Sequence, residues 1–96
     1  MDVDRLIGWN LARIRAERDM SQDDAADLIE NMDQPKISKI ENGRRTVNAI
    51  TLYRIGQGLS INPGELYNIK GAPDDIVGDL TDVRIPDRRR SKANLA

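Results

Sequence analysis

The chain has 96 residues, a net charge of −1 at neutral pH, and neither cysteine nor histidine. This length suits one domain with a small core, and the composition excludes disulfides, thiolate metal sites and catalysis by a histidine base. We therefore predict a protein that is not an enzyme and binds no metal or cofactor. No apolar run is long enough to span a bilayer and the N-terminus lacks the pattern of a signal peptide, so we expect a cytoplasmic protein without a membrane partner.

The charges are segregated along the chain. Residues 19–33 carry six acids and no base, whereas residues 34–54 carry five bases and one acid. The C-terminal part repeats this alternation, with four acids in residues 71–83 and then five bases against one acid in residues 84–96. A polyanion meets a local patch rather than the average, so the total charge does not exclude DNA as a partner.

A first helix is predicted over residues 4–18, where apolar residues recur at helical spacing: Ile7, Leu11 and Ile14. Arg15 lies at the edge of this apolar stripe, and Trp9 lies on the opposite side of the helix. The Trp9 side chain is therefore either a lone exposed aromatic, or it is covered by the C-terminal residues or by a second subunit.

The next two predicted helices are short. Ser21 is a good N-cap for a second helix over residues 22–30. Its candidate core residues are Ala25, Ala26, Leu28 and Ile29. A third helix is predicted over residues 34–42, with Pro35 in its first turn and Gly43 as the residue that ends it.

Two more helices complete the pattern. Asn48 caps a fourth helix that extends to about Leu59, in which Gly56 and Gly58 indicate close packing against a neighbour. The sequence Asn-Pro-Gly-Glu at residues 62–65 is a good start signal for a short fifth helix. These dimensions are typical of an all-α helix-turn-helix domain, although the periodicity alone also allows another small helical bundle. We place this domain at residues 1–70, followed by an extended or partly helical tail at residues 71–96. A strand is conceivable only at residues 83–85.

Four stretches in this order, RIRAERDMSQDDAA, QPKISKIENGRR, NAITLYRIGQGL and INPGELY, resemble the phage-repressor (Cro/repressor, Xre-type) helix-turn-helix family. The resemblance covers about residues 5–69 and implies a five-helix, lambda-repressor-like DNA-binding domain with a C-terminal extension. It implies that helix 3 enters the major groove. The base-reading candidates that match the family are Gln34, Pro35, Lys36 and Lys39. The phosphate-contacting candidates that match it are Ser21, Gln22, Asn42, Arg44 and Arg45.

The chemistry of these side chains agrees with those roles. Glutamine can pair with adenine through two hydrogen bonds, lysine can donate to guanine, and proline can contact only a thymine methyl group. For Lys36 and Lys39 the alternative is a solvated helix face, and for Ser21 it is an ordinary N-cap. The resemblance also implies a structural ion pair between Glu41 and Arg15, the arginine at the edge of the stripe.

Two features depart from the family pattern. One extra residue between Ile29 and Ile37 is expected to alter the tilt of helix 3. Helix 2 is also unusually acidic through Asp23, Asp24, Asp27 and Glu30, which form either a solvated face or, as in some similar repressors, a contact with RNA polymerase.

We predict a sequence-specific transcriptional regulator, a repressor of its own or a neighbouring promoter that binds double-stranded DNA as a homodimer. The alternative is the antitoxin of a toxin–antitoxin pair, with the tail bound to a toxin and the helix-turn-helix acting in autoregulation. The tail has two further possible roles: it supplies a dimer contact, or its basic residues 88–92 act as an arm on DNA.

Overall fold

A computed structural model describes residues 1–78. It contains five α-helices and one 3₁₀ helix, and no strand is present in this part of the chain. The helices are α1 (Val3–Glu17), α2 (Gln22–Leu28), α3 (Gln34–Glu41), α4 (Ala49–Leu59), the 3₁₀ helix (Pro63–Tyr67) and α5 (Asp74–Val77). None of these helices combines the length and the apolar character needed to cross a bilayer. The predicted all-α fold is confirmed.

Short polar side chains begin the first four helices. Ser21, Asp33 and Asn48 each accept a hydrogen bond from the backbone N–H three residues further on, at 3.0, 2.9 and 2.8 Å. Asp2 does the same for α1, at 3.1 Å from the amide of Arg5. Because an N-cap satisfies a donor that the helix leaves unpaired, these local bonds fix where each helix starts.

The main core lies where α1 to α4 and the 3₁₀ helix meet. Its buried residues are Ile7, Leu11, Ile14, Ala25, Ala26, Ile29, Ile37, Ile40, Val47, Ile55, Leu59 and Leu66. Glycines permit the close approaches that this packing requires. A Cβ on Gly58 would lie 2.4 Å from the Leu28 carbonyl oxygen, and one on Gly8 would lie 2.1 Å from the Ile40 carbonyl oxygen. The close packing expected of α4 is therefore present.

Three predicted details differ in the structure. Helix α2 ends at Leu28 rather than near residue 30, and the Leu28 side chain is 50% exposed because it lies beyond the face that meets the core. The predicted fifth helix is a 3₁₀ helix of five residues. The buried Asn10 amide donates to the carbonyl oxygens of Leu66 and Asn68, at 2.9 Å each, so a polar residue of α1 holds the end of that helix.

The chain after the 3₁₀ helix returns to α1. In a second small core, Ile76 and Val77 of α5 pack against Leu6, with Trp9 and Ala72 at its margin. Trp9 is thus covered by the C-terminal segment on one side. The strand considered at residues 83–85 and the basic residues 88–92 lie outside the described residues.

Candidate DNA interface

Helix α3 is held by two isoleucines. Ile37 and Ile40 are fully buried, whereas Pro35 and Lys39 are exposed and Gln34 is half-buried. A helix of eight residues is about 12 Å long, so two anchors three residues apart fix its rotation about its own axis. Pro35 and Lys39 therefore lie on the surface of α3 that faces away from the core, and the half-buried Gln34 and Lys36 lie at its margin.

Arg15 and Glu41, the predicted structural ion pair, lie together at the C-terminal end of α3. Arg15 Nε donates to Glu41 Oε2 at 2.8 Å, and a second guanidinium nitrogen donates to Oε1 at 2.9 Å. Arg15 also donates to the Met20 carbonyl oxygen at 2.8 Å. The hydrogen bond with Glu41 raises the pKa of Arg15 further above its already high ordinary value, so the guanidinium stays charged. This two-point pair joins α1 to the last residue of α3.

A chain of hydrogen bonds continues from this pair to the surface. The Gln22 amide nitrogen donates to Glu41 Oε1 at 3.0 Å, and the Gln22 amide oxygen accepts from the Gln34 amide nitrogen at 2.7 Å. Gln22 begins α2 and Gln34 begins α3, so the bond between them fixes the relative position of the two helix starts.

These hydrogen bonds leave Gln34 with the groups that adenine recognition needs. A side-chain amide has two N–H donors and an oxygen with two acceptor sites, and the bond to Gln22 uses one donor. Gln34 retains a second N–H and its whole carbonyl oxygen. One donor and one acceptor on the same amide are what a bidentate contact with adenine N7 and N6 requires.

The start of α2 offers fewer donors than the sequence suggested. Ser21 and Asp24 form a capping box, in which the Ser21 amide donates to the Asp24 carboxylate at 2.9 Å. This backbone hydrogen bond is the main cause of the lowered pKa of Asp24. The Ser21 backbone amide is therefore already paired, and the Gln22 side chain is bonded to Glu41 and Gln34. The Ser21 hydroxyl and the Gln22 backbone amide are available to a phosphate.

The end of α3 presents basic side chains on an ordered turn. The Gly43 amide donates to the Ile40 carbonyl oxygen at 3.0 Å, and the Arg44 amide donates to the Lys39 carbonyl oxygen at 2.9 Å. These two bonds form a Schellman motif, with Gly43 at the left-handed φ of 69° that this motif needs. The side chains predicted to contact phosphates here are all exposed: Asn42, Arg44 and Arg45.

The turn before α3, where this chain has one residue more than the family pattern, contains a left-handed residue. Asn31 takes a left-handed conformation with φ of 61°, and α3 still starts at Gln34 with Asp33 as its cap. The Lys36 ammonium group donates to the Asn31 carbonyl oxygen at 3.4 Å, a long contact that leaves the group near the surface. The expected effect of the extra residue on the tilt of α3 stays a prediction.

One contact of this surface was not evident from the sequence. The Gln22–Gln34 bond depends on the shape of the turn at residues 29–33, which no local pattern specifies. Arg54 of α4 lines a surface cavity together with Leu28 and Glu30. Within residues 1–78, no three potential ligand side chains are grouped so that they could hold a metal ion.

Comparison with known proteins gives consistent matches. A family model described as helix-turn-helix, HTH_3, matches residues 11–66. An uncharacterised HTH-type transcriptional regulator, y4dJ of Sinorhizobium fredii, is 36% identical over 66 residues, which are 69% of this chain and 84% of that protein. The control protein C.MunI of a Mycoplasma species is 37% identical over 68 residues, 70% of this chain and 90% of the relative.

Two solved structures are similar. The restriction-modification controller protein C.AhdI of Aeromonas hydrophila has a TM-score of 0.60 at 27% identity, over 68% of this chain and 94% of its own. An HTH_3 family transcriptional regulator of Vibrio cholerae has a TM-score of 0.64 at 24% identity, over 91% of this chain and 47% of its own, a likeness that bears on the fold alone. None of these descriptions refers to a toxin or an antitoxin, so the antitoxin alternative is not supported.

Proposed function

The chain belongs to the HTH_3 helix-turn-helix family and is a DNA-binding transcription regulator, and we propose that it reads an operator sequence by placing α3 in the major groove. Gln34, Lys36 and Lys39 contact base edges there, while Pro35 contacts a thymine methyl group. The turn after α3 and the start of α2 contact the phosphates on either side. DNA as the target also supports a cytoplasmic location.

The observation that carries this proposal is the hydrogen-bond chain from Arg15 to Gln34. It fixes the base-reading amide before DNA arrives, through Glu41 and Gln22. A side chain held in its binding geometry loses less conformational freedom on association than a mobile one, which favours affinity for the matching base.

The phosphate contacts supply affinity that does not depend on sequence. Arg44 and Arg45 follow the Schellman turn and Asn42 precedes it, so three polar side chains flank the end of α3. At the start of α2, Ser21 contacts a phosphate through its hydroxyl and Gln22 through its backbone amide. Each phosphate that a basic side chain neutralises steepens the dependence of affinity on salt.

We further propose that the protein is a homodimer that represses its own or a neighbouring promoter. Two relatives are named control or controller proteins, one of them of a restriction-modification system. Leu28, Ile50 and Tyr53 are exposed apolar side chains on α2 and α4 and offer a surface for a second copy of the chain. A protein that sediments as a monomer at the concentrations where it binds DNA would contradict the dimer.

A contact between the acidic face of α2 and RNA polymerase stays a separate hypothesis. Asp23, Asp27 and Glu30 are exposed and so are accessible to another protein. Changing Asp27 and Glu30 to lysine would then abolish activation of a promoter while leaving affinity for DNA no weaker. Unchanged activation would contradict the contact.

The test is selection of bound sequences from a random DNA pool. We expect the wild-type protein to enrich one motif containing two related half-sites about 34 Å apart along the helix axis. Gln34→Ala and Lys39→Ala should each relax the preference at one position per half-site, at a cost of about 1–3 kcal/mol in discrimination. Lys70→Ala, which removes an exposed charge far along the chain, is the matched control and should leave the motif unchanged. A wild-type protein that enriches no motif would overturn the proposal.

A further inference from the structure

The first turn of α1 contacts both the C-terminal segment and the turn after α3. The Asp2 amide donates to the Ile76 carbonyl oxygen at 2.8 Å, which joins the start of α1 to α5. On its other side, the Asp4 carboxylate accepts a hydrogen bond from the Thr46 hydroxyl at 3.1 Å. Neither contact is needed for α3 to pack against the main core.

Arg5 lies between these two segments and touches both. Its guanidinium group donates to the Asp75 carboxylate at 2.7 Å and to the Asp75 carbonyl oxygen at 3.2 Å. Its aliphatic stem lies against Gly43, where an added Cβ would be 2.5 Å from Arg5 Cγ and 3.3 Å from Arg5 Cα. One side chain therefore joins α5 to the residue that ends α3.

The loop at residues 43–46 is consequently held at both ends by α1. Gly43 rests on the stem of Arg5, and Thr46 is bonded to Asp4. The two residues between these contacts are Arg44 and Arg45, whose side chains are exposed. The Schellman motif ties the turn to α3, and the contacts from the first turn of α1 hold the loop that follows it, which carries these two arginines.

We propose that Arg5 is a positioning residue for DNA binding and that Asp75 of α5 holds it in place. With the guanidinium fixed by Asp75, the stem supports Gly43 and keeps Arg44 and Arg45 where they meet phosphates. This inference rests on the proposed function, because it concerns how the phosphate contacts are prepared. Support before binding lowers the conformational freedom that those arginines lose in the complex.

The C-terminal segment is then part of the DNA-binding unit. Ile76 and Val77 are buried against Leu6, one residue after Arg5 along α1. This apolar contact brings Asp75 to the side chain of Arg5. A change that displaces α5 should therefore weaken the phosphate contacts, although α5 is not part of α3 or of the turn after it.

The test compares two neighbouring aspartates. Asp74→Asn and Asp75→Asn make the same change in net charge in the same turn of α5, but only Asp75 is bonded to Arg5. Affinity for the selected operator is measured across a series of salt concentrations, and folding is followed by circular dichroism. We expect Asp75→Asn to bind about two- to fivefold more weakly than Asp74→Asn, consistent with the modest strength of exposed ion pairs.

The salt dependence separates positioning from a general loss of stability. Loss of one phosphate contact lowers the slope of log affinity against log salt by about one, and a smaller folded fraction leaves that slope unchanged. We expect the lower slope in Asp75→Asn with the selected motif unaltered. Arg5→Met, which keeps an unbranched apolar chain without the guanidinium, should lower the slope similarly, and the double variant should be no weaker than Arg5→Met alone.

The outcomes distinguish the two proposals. Equal affinities and slopes for Asp74→Asn and Asp75→Asn on an operator that the wild type selects would overturn the positioning role alone. Weaker binding by Asp75→Asn with an unchanged slope would also overturn it, because the effect would then be one of stability. Absence of any selected motif for the wild type would overturn both the proposed function and this inference.

Discussion

Helix α1 carries an arginine–carboxylate pair near each end, and the two pairs differ mainly in burial. At the C-terminal end, the side chains of Arg15 and Glu41 are 21% and 8% exposed. At the N-terminal end, those of Arg5 and Asp75 are 40% and 66% exposed. The shortest N–O distances are nearly the same, 2.8 Å and 2.7 Å. Distance alone would therefore rank the two pairs as equal.

Burial gives the pairs different consequences. Water solvates the partner that remains when an exposed pair is broken, so the loss in stability is small. A shielded carboxylate has less access to water, and its removal leaves the facing guanidinium without a partner in a poorly solvated place. We infer that the pair at Glu41 acts on the stability of the fold, whereas the pair at Asp75 acts on the arrangement of one surface loop.

The largest effect is expected from Glu41→Gln. This change keeps the size of the side chain but leaves Arg15 without its counter-charge and alters the hydrogen bond to Gln22. Breaking a buried pair costs about 3–5 kcal/mol, and the partial exposure of Arg15 places the expected loss at about 3 kcal/mol. The free energy of unfolding in urea measures it. Glu17→Gln, which breaks the exposed pair with Arg13, is the control and should cost about 0.3–0.5 kcal/mol.

Replacing both partners sharpens this prediction. In Arg15→Met/Glu41→Leu no unpaired charge is left, so we expect the double variant to be more stable than Glu41→Gln, within about 1 kcal/mol of the wild type. DNA binding should still fall, because Gln22 loses the acceptor that holds it toward Gln34. A double variant less stable than Glu41→Gln would show that the charges themselves, rather than a stranded guanidinium, determine the cost.

A smaller effect is expected from Gly43→Ala, because Gly43 lies next to both arginine–carboxylate pairs. Gly43 follows Glu41 closely in sequence and rests on Arg5. Its φ of 69° disfavours any L side chain, at a cost of about 1–2 kcal/mol, and the new methyl group would also displace the stem of Arg5. Thermal unfolding measures the loss in stability. Gly64→Ala is the control: Gly64 has no positive φ, and its Cβ would meet only the Asn62 side chain, at 3.2 Å. Equal losses in the two variants would contradict this account.

The parts of the fold that could be predicted are those set by neighbours in sequence. Ser21 and Asn48 were recognisable as caps because an N-cap bonds to an amide only three residues away. The family resemblance was confirmed by the match to residues 11–66, and it drew attention to Arg15 and Glu41.

The parts that could not be predicted depend on distant or irregular segments. Gln22 and Gln34 are separated by a turn that contains a left-handed Asn31, so their contact has no local signal. The docking of α5 lies beyond the family match and joins Arg5 to Asp75, 70 positions apart. Ile76 and Val77 form too short an apolar run to indicate a buried helix of four residues.

The smallest effect in this series is a pH dependence confined to the exposed pair. The hydrogen bond from Arg5 lowers the pKa of Asp75 below its ordinary value. A carboxyl whose pKa is lower in the folded state stabilises the fold above the unfolded pKa, about 4, and this contribution is lost as the pH falls through the folded pKa. Trp9, at the margin of the core that holds α5, reports on that loss through its fluorescence.

In acid we expect the Trp9 emission of the wild type and of Asp74→Asn to shift before the helical signal in circular dichroism declines. In Asp75→Asn the group that titrates is absent, so part of the shift should already be present at neutral pH and its dependence on pH should be weaker. Asp24, another carboxyl with a lowered pKa, accepts a hydrogen bond from the Ser21 amide at the start of α2, so its titration affects the helical signal instead. The same acid transition of Trp9 in all three proteins would mean that Ile76 and Val77 hold α5 without help from Asp75. Of the two pairs compared, only the one between Arg15 and Glu41 would then contribute to the stability of the fold.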